Sequence, residues 1–110
     1  MGKQITFTDN NGKAWTLEFN RRTSKELQQM GFKAEDIADK NLIMLPMLWR
    51  SAFLMHHRGV EVKVVDELLE CMGDRMELFN KLTEMYNEPV EALINDPVDD
   101  AKKVNWTASW

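Results

Sequence analysis

Gln4-Ile5-Thr6-Phe7-Thr8-Asp9-Asn10-Asn11-Gly12-Lys13-Ala14-Trp15-Thr16-Leu17-Glu18-Phe19-Asn20 decides the fold class. Ile5 and Phe7 alternate with polar residues, and so do Trp15, Leu17 and Phe19. A period of two places each set on one face of a half-buried strand. Asn11-Gly12 between them supplies the positive φ angles of a tight hairpin turn. The stretch therefore predicts an antiparallel hairpin over Gln4–Asn20 with a single apolar face. A hairpin alone is marginal in water, so that face must pack on helices.

The helices follow in order. Thr23 reads as an N-cap with Glu26 completing a capping box. Leu27 and Met30 form a short apolar stripe, and Gly31 closes the helix. Residues 34–39 offer one helical turn around Ile37. Leu42–His57 is the most apolar stretch of the chain. A helix apolar on nearly every side is central in its domain. Pro46 lacks an N–H and fits a first turn, so this helix is expected to begin near Leu45 and to end before Gly59. Val62, Val65, Leu68, Leu69 and Met72 keep helical spacing up to Gly73. Asp74 then caps a helix that buries Met76, Leu78, Phe79, Leu82, Met85 and Tyr86. Pro89 is expected to stop or kink it, leaving Val90, Leu93 and Ile94 to a last short helix. The expectation is an α+β fold: an N-terminal antiparallel β-hairpin packed on a bundle of four to five α-helices. Residues 1–95 form the single domain, and 96–110 form a flexible C-terminal tail, mobile from about Val98.

Composition bounds the function. The chain has 110 residues, 44% hydrophobic and 29% charged, with net charge −4. That is one ordinary globular domain, large enough to bury a core without metals or disulfides. The single Cys71 excludes an internal disulfide and fits a reducing compartment. No run of eighteen apolar residues occurs and no signal-peptide core opens the chain, so a cytosolic protein is expected, without membrane association. Met1-Gly2-Lys3-Gln4-Ile5-Thr6 fits a loose myristoylation pattern, but the strand begins almost at once. Residues 74–110 carry twice as many acids as bases. That balance weighs against binding nucleic acid. Val60–Tyr86 also fails as a helix-turn-helix, because its second helix is net negative.

Chemistry-bearing residues are sparse. His56 and His57 are adjacent and diverge by about 100° on a helix, unlike a metal-binding i, i+4 pair. In a last turn, their partial charge complements the helix dipole. Cys71 lies on an apolar helix face with no basic residue in the seven positions before it, and reads as buried and inert. No phosphate loop, nucleophile elbow or triad pattern is present. The expectation is a protein that is no enzyme and has no catalytic, cofactor or metal residues.

Two features point to partners instead. The chain holds eight methionines. Met44, Met47 and Met55 lie near one side of the central helix, as core filling or as an adaptable binding surface. Residues 96–110 begin with proline, acids and lysines and end with Trp106 and Trp110. Such a tether either docks its tryptophans on a partner, or returns Trp106 to the domain as a late piece of core. The candidate partner-binding residues are thus Met44, Met47, Met55, Trp106 and Trp110.

The order of several short stretches resembles a family. Leu17-Glu18-Phe19-Asn20-Arg21 leads into a capped helix ending at Gly31-Phe32. Met44-Leu45-Pro46 and Ala52-Phe53-Leu54-Met55-His56-His57 follow. Leu82-Thr83-Glu84-Met85-Tyr86-Asn87-Glu88-Pro89 and Asn105-Trp106-Thr107-Ala108-Ser109-Trp110 complete the series. Over nearly its whole length the chain resembles the small tail assembly chaperones of long-tailed bacteriophages of Gram-positive hosts. The resemblance implies a non-enzymatic role: keeping the tape-measure protein soluble and helping to recruit tail-tube subunits. It also implies action in the host bacterial cytoplasm, absence from the mature virion, and in many members a longer frameshifted form. Self-association is a further expectation, and a generic interaction module using the Met-rich surface is the alternative.

Overall fold

The computed structural model of the protein describes residues 2–96 and 100–110. The fold is α+β: a two-stranded antiparallel sheet followed by five α-helices among the described residues. Strand β1 (Gln4–Thr8) pairs with β2 (Ala14–Glu18), with Ile5 opposite Leu17 and Phe7 opposite Trp15. The apolar face is the expected one. The turn differs. Asn10, Asn11 and Gly12 form a three-residue loop, in which only Gly12 takes a positive φ, at 83°. The Gly12 N–H donates to the Asp9 carbonyl at 3.0 Å, and the Asp9 N–H to the Lys13 carbonyl at 2.9 Å. Asp9 selects this turn: its carboxylate accepts the N–H groups of Asn11 and Lys13 and the Trp15 indole N–H.

Helix α1 (Arg21–Gln29) starts one turn earlier than Thr23 suggested. Asn20 is the N-cap, accepting the Thr23 N–H at 2.8 Å, while the Thr23 hydroxyl accepts the Asn20 N–H at 2.9 Å. Its end is the expected one. Gly31, at φ 99°, donates to the Gln28 carbonyl while the Phe32 N–H reaches back to Leu27. Met30, expected on the buried stripe, is exposed, whereas Thr23, Ser24 and Leu27 are buried.

Helix α2 (Asn41–Ser51) also begins earlier than expected and takes Pro46 into its interior. The missing Pro46 N–H would have met the Leu42 carbonyl. That turn is solvent-exposed, so water can satisfy the carbonyl. The helix then breaks at Ala52 and Phe53 before α3 (Leu54–His57). The break has a tertiary cause: the Glu18 N–H of β2 donates to the Ala52 carbonyl at 3.1 Å.

Helix α4 (Val62–Cys71) packs on α2, where the Trp49 indole N–H donates to the Val65 carbonyl at 2.7 Å and Arg50 clamps Asp66. Helix α5 (Arg75–Ile94) runs unbroken through Pro89. The expected stop does not occur: Ser24 of α1 donates to the Tyr86 carbonyl just before the proline, and Val90 and Leu93 beyond it line a groove beside α1. Asp74 precedes α5 in a left-handed conformation and makes no side-chain cap bond. Met76, expected inside, is exposed.

The core is aromatic at its centre. Phe53 meets Trp49 and Trp15 edge-on, with ring centroids 5.0 and 5.6 Å apart, and Tyr86 meets Phe19 and Phe32 likewise. Beyond α5 the expected onset of mobility at Val98 lies outside the described residues. Asp100–Lys102 form a 3-10 turn, and residues 103–110 have no regular secondary structure.

Candidate partner-binding surfaces

The structure separates the five residues singled out in the sequence. Met44 is only 5% exposed, inside the core. Met47 packs against that core. Of the two readings of these methionines, Met44 follows core filling, and Met47, half-buried, sits at the edge of the core. Met55 is 38% exposed. Trp106 and Trp110 are 80% and 100% exposed, so neither serves as a late piece of core here.

A partly buried polar cluster fastens the hairpin to α3. The Glu18 carboxylate accepts from the His56 Nε2 at 2.7 Å and from the Gln4 amide at 2.8 Å. The His56 bond, more than any other influence, holds the Glu18 carboxyl below its ordinary value. His57 Nε2 accepts the Thr16 N–H at 3.1 Å, so the proton of this imidazole sits on Nδ1. Burial, with the nearby charges of His56 and Lys13, holds the His57 pKa down. His57 is therefore a neutral acceptor, not the cationic helix terminus its position suggested. Sequence reasoning missed Glu18, because strand alternation assigns it to solvent. The signal was Gln4, its cross-strand partner.

Among the described residues, two apolar grooves stand out. Between α1 and the end of α5, Pro89, Val90 and Leu93 make an apolar floor rimmed by Arg21 and Lys25, in a hollow of about 250 Å³. A second hollow, lined by Phe32, Ala34 and Tyr86, continues it through the shared Gln28 and Val90. Leu93 is 62% exposed at its mouth. The other groove lies beside the hairpin: Phe7 and Thr8 face Val64, Leu68 and Met72 across a hollow of about 250 Å³. Cys71 lines it and is exposed, contrary to its reading as a buried thiol. Among the described residues no three His, Cys, Asp or Glu side chains gather as a metal site needs, and no described helix is long and apolar enough to cross a membrane.

Residues 1–110 match the family DUF5055, a domain of unknown function. The chain belongs to the DUF5055 family. No curated protein and no solved structure matches it. The described residues of this DUF5055 chain present apolar grooves, charged rims and exposed aromatics. The Glu18–His56–His57 cluster spends its polar groups on joining β2 to α3, with Gln4, Thr16 and each other as partners.

Proposed function

We propose that the protein is a non-enzymatic holding chaperone of phage tail assembly, which binds the tape-measure protein, keeps it soluble and helps recruit tail-tube subunits. It acts in the host bacterial cytoplasm and leaves before the virion is complete. The phage assignment rests on the resemblance in the sequence. The observation that carries the mode of action is the α1/α5 groove. Its apolar floor of Pro89, Val90 and Leu93 and its basic rim of Arg21 and Lys25 suit the apolar face of an acidic amphipathic helix. Leu42, Ile43, Met76 and Ile94 add exposed apolar contacts at the helix ends. The net charge of −4 keeps such a surface in solution.

Co-expression tests the reading. The tape-measure protein encoded nearby is expected to move from the pellet to the soluble fraction when this chain is present. Equal solubility with and without it would refute the chaperone role and leave an interaction module of another kind.

A further inference from the structure

The outer edge of β1 is a vacant strand position. The Thr16 and Glu18 N–H groups of β2 point away from β1, to His57 and to the Ala52 carbonyl. Alternation then directs Trp15 and Leu17 toward β1, and their partners Phe7 and Ile5 back toward β2. Gln4, Thr6 and Thr8 must therefore present their N–H and C=O groups outward. All three are exposed, and among the described residues these backbone groups have no partner. Edge strands are normally defended by charge, proline or a bulge. Gln4-Ile5-Thr6-Phe7-Thr8 has no charge and no proline, and its register with β2 is unbroken.

Helices α4 and α5 line hollows beside this strand. Under one end of it lies the hollow lined by Phe7, Val64, Leu68 and Met72. Under the other lies a hollow of about 340 Å³, lined by Ile5, Lys81 and Met85. Two hollows thus lie between β1 and the helices α4 and α5.

The same chain carries a strand without a sheet. Val104, Trp106, Ala108 and Trp110 alternate with Asn105, Thr107 and Ser109, and the segment has no charge, glycine or proline. This period-two pattern is that of a half-buried strand. Trp106 and Trp110 would fall on one face about 13 Å apart, four residues at the strand rise. One hollow is lined by Lys3, Gln4 and Ile5 and the other by Phe7 through Asn11, so their middles, Gln4 and Asp9, lie five residues apart, close to the four between the tryptophans.

We propose that Val104–Trp110 of a second copy adds as a third strand to the outer edge of β1, seating Trp106 and Trp110 over the two hollows. A second copy is favoured because in its own chain the segment is not packed on the domain: Val104, Trp106 and Trp110 are all highly exposed, and the molecule is elongated. The longest helix, 20 residues, spans about 30 Å, yet the molecule measures 58 Å along its long axis. The radius of gyration is 16.6 Å, against about 13 Å for a compact chain of this length. The area also suffices. Reciprocal exchange buries four tryptophans at roughly 150–250 Å² each, and with the surface they cover this reaches the roughly 1,200–2,000 Å² of a stable interface. The proposal concerns self-association and stands apart from the chaperone reading.

Sedimentation equilibrium of the full chain tests it, with two variants. Thr6→Pro removes an outward N–H that the hairpin does not use, and Trp106→Ser/Trp110→Ser removes the anchors. Wild type is expected to dimerise. Each variant is expected to weaken the dimer by at least about 30-fold, as loss of an interface hot spot does. The decisive arm mixes the two variants, since one keeps the tail and the other keeps the edge only for its partner. The tryptophan variant retains an intact β1, so it should accept the tail of the Thr6→Pro copy in a one-way pair, weaker than the wild-type dimer but tighter than either variant with itself; a mixture no tighter than the variants alone would overturn the proposal. A monomeric wild type would overturn the proposal, whether its tryptophans are exposed or folded onto its own β1. A dimer untouched by the tryptophan substitutions would overturn it too, even if Thr6→Pro fails to fold.

Discussion

At the scale of single residues, two side chains carry measurable weight. Phe53 is 1% exposed and stands between Trp15 and Trp49. Phe53→Ala is expected to cost roughly 3–5 kcal/mol, from lost transfer energy and the cavity left behind. Chemical denaturation reads this directly, and a loss under about 1 kcal/mol would remove Phe53 from the core. His57 carries a pH dependence. Its folded pKa lies below the ordinary 6.5, chiefly through burial. As pH falls below 6.5 the unfolded chain takes the proton first, so stability present above that value declines. A protonated His57 would also turn a donor toward the Thr16 N–H. Glu18 acts with the same sign at lower pH: its carboxyl is held below 4.5, so its contribution is lost as pH falls beneath that value. Urea midpoints measured across pH should fall from neutrality toward acid in wild type. In His57→Gln, whose amide oxygen can accept the Thr16 N–H, the decline above the carboxylate range should disappear. A wild-type midpoint unchanged across that range would refute the neutral-acceptor role.

At the scale of elements, what was legible in the sequence was what local rules decide. Strand alternation in Gln4–Phe19 gave the sheet and its buried face. Gly31 marked the end of α1 because φ of 99° is a conformation other residues rarely hold. Gly31→Ala is accordingly expected to lower stability by about 1–2 kcal/mol, read from thermal or denaturant unfolding. A neutral substitution would mean the helix end shifts freely. What sequence did not disclose was settled by distant partners. The break between α2 and α3 follows a carbonyl claimed by β2. The passage of α5 through Pro89 is accompanied by contacts with α1. Asn20 and Thr23 are both good caps by type, and only the path of the chain leaving β2 made Asn20 the cap. The candidate site was legible in part for the same reason. Methionine periodicity could not tell a core face from a binding face, and Met44 proved to be core. Trp106 and Trp110 are exposed, so Trp106 is not the late piece of core that the sequence also allowed.

At the scale of the whole molecule, a small helical layer covers one face of a two-stranded sheet, and two of the apolar surfaces among the described residues matter most here. One is the α1/α5 groove and the other is the β1 edge with its adjoining hollows. The first offers contact to a foreign helix, the second to an extended segment, so holding a client and self-association can proceed on separate surfaces. The groove is the more consequential of the two, because the proposed function depends on it. Light scattering by the tape-measure protein encoded nearby, diluted from denaturant beside an equimolar amount of this chain, tests that dependence. Wild type should suppress the scattering, and Leu93→Glu, which puts a charge at the exposed mouth of the groove, should restore it while the domain stays folded. Undiminished scattering in the presence of folded wild-type protein would contradict the holding role.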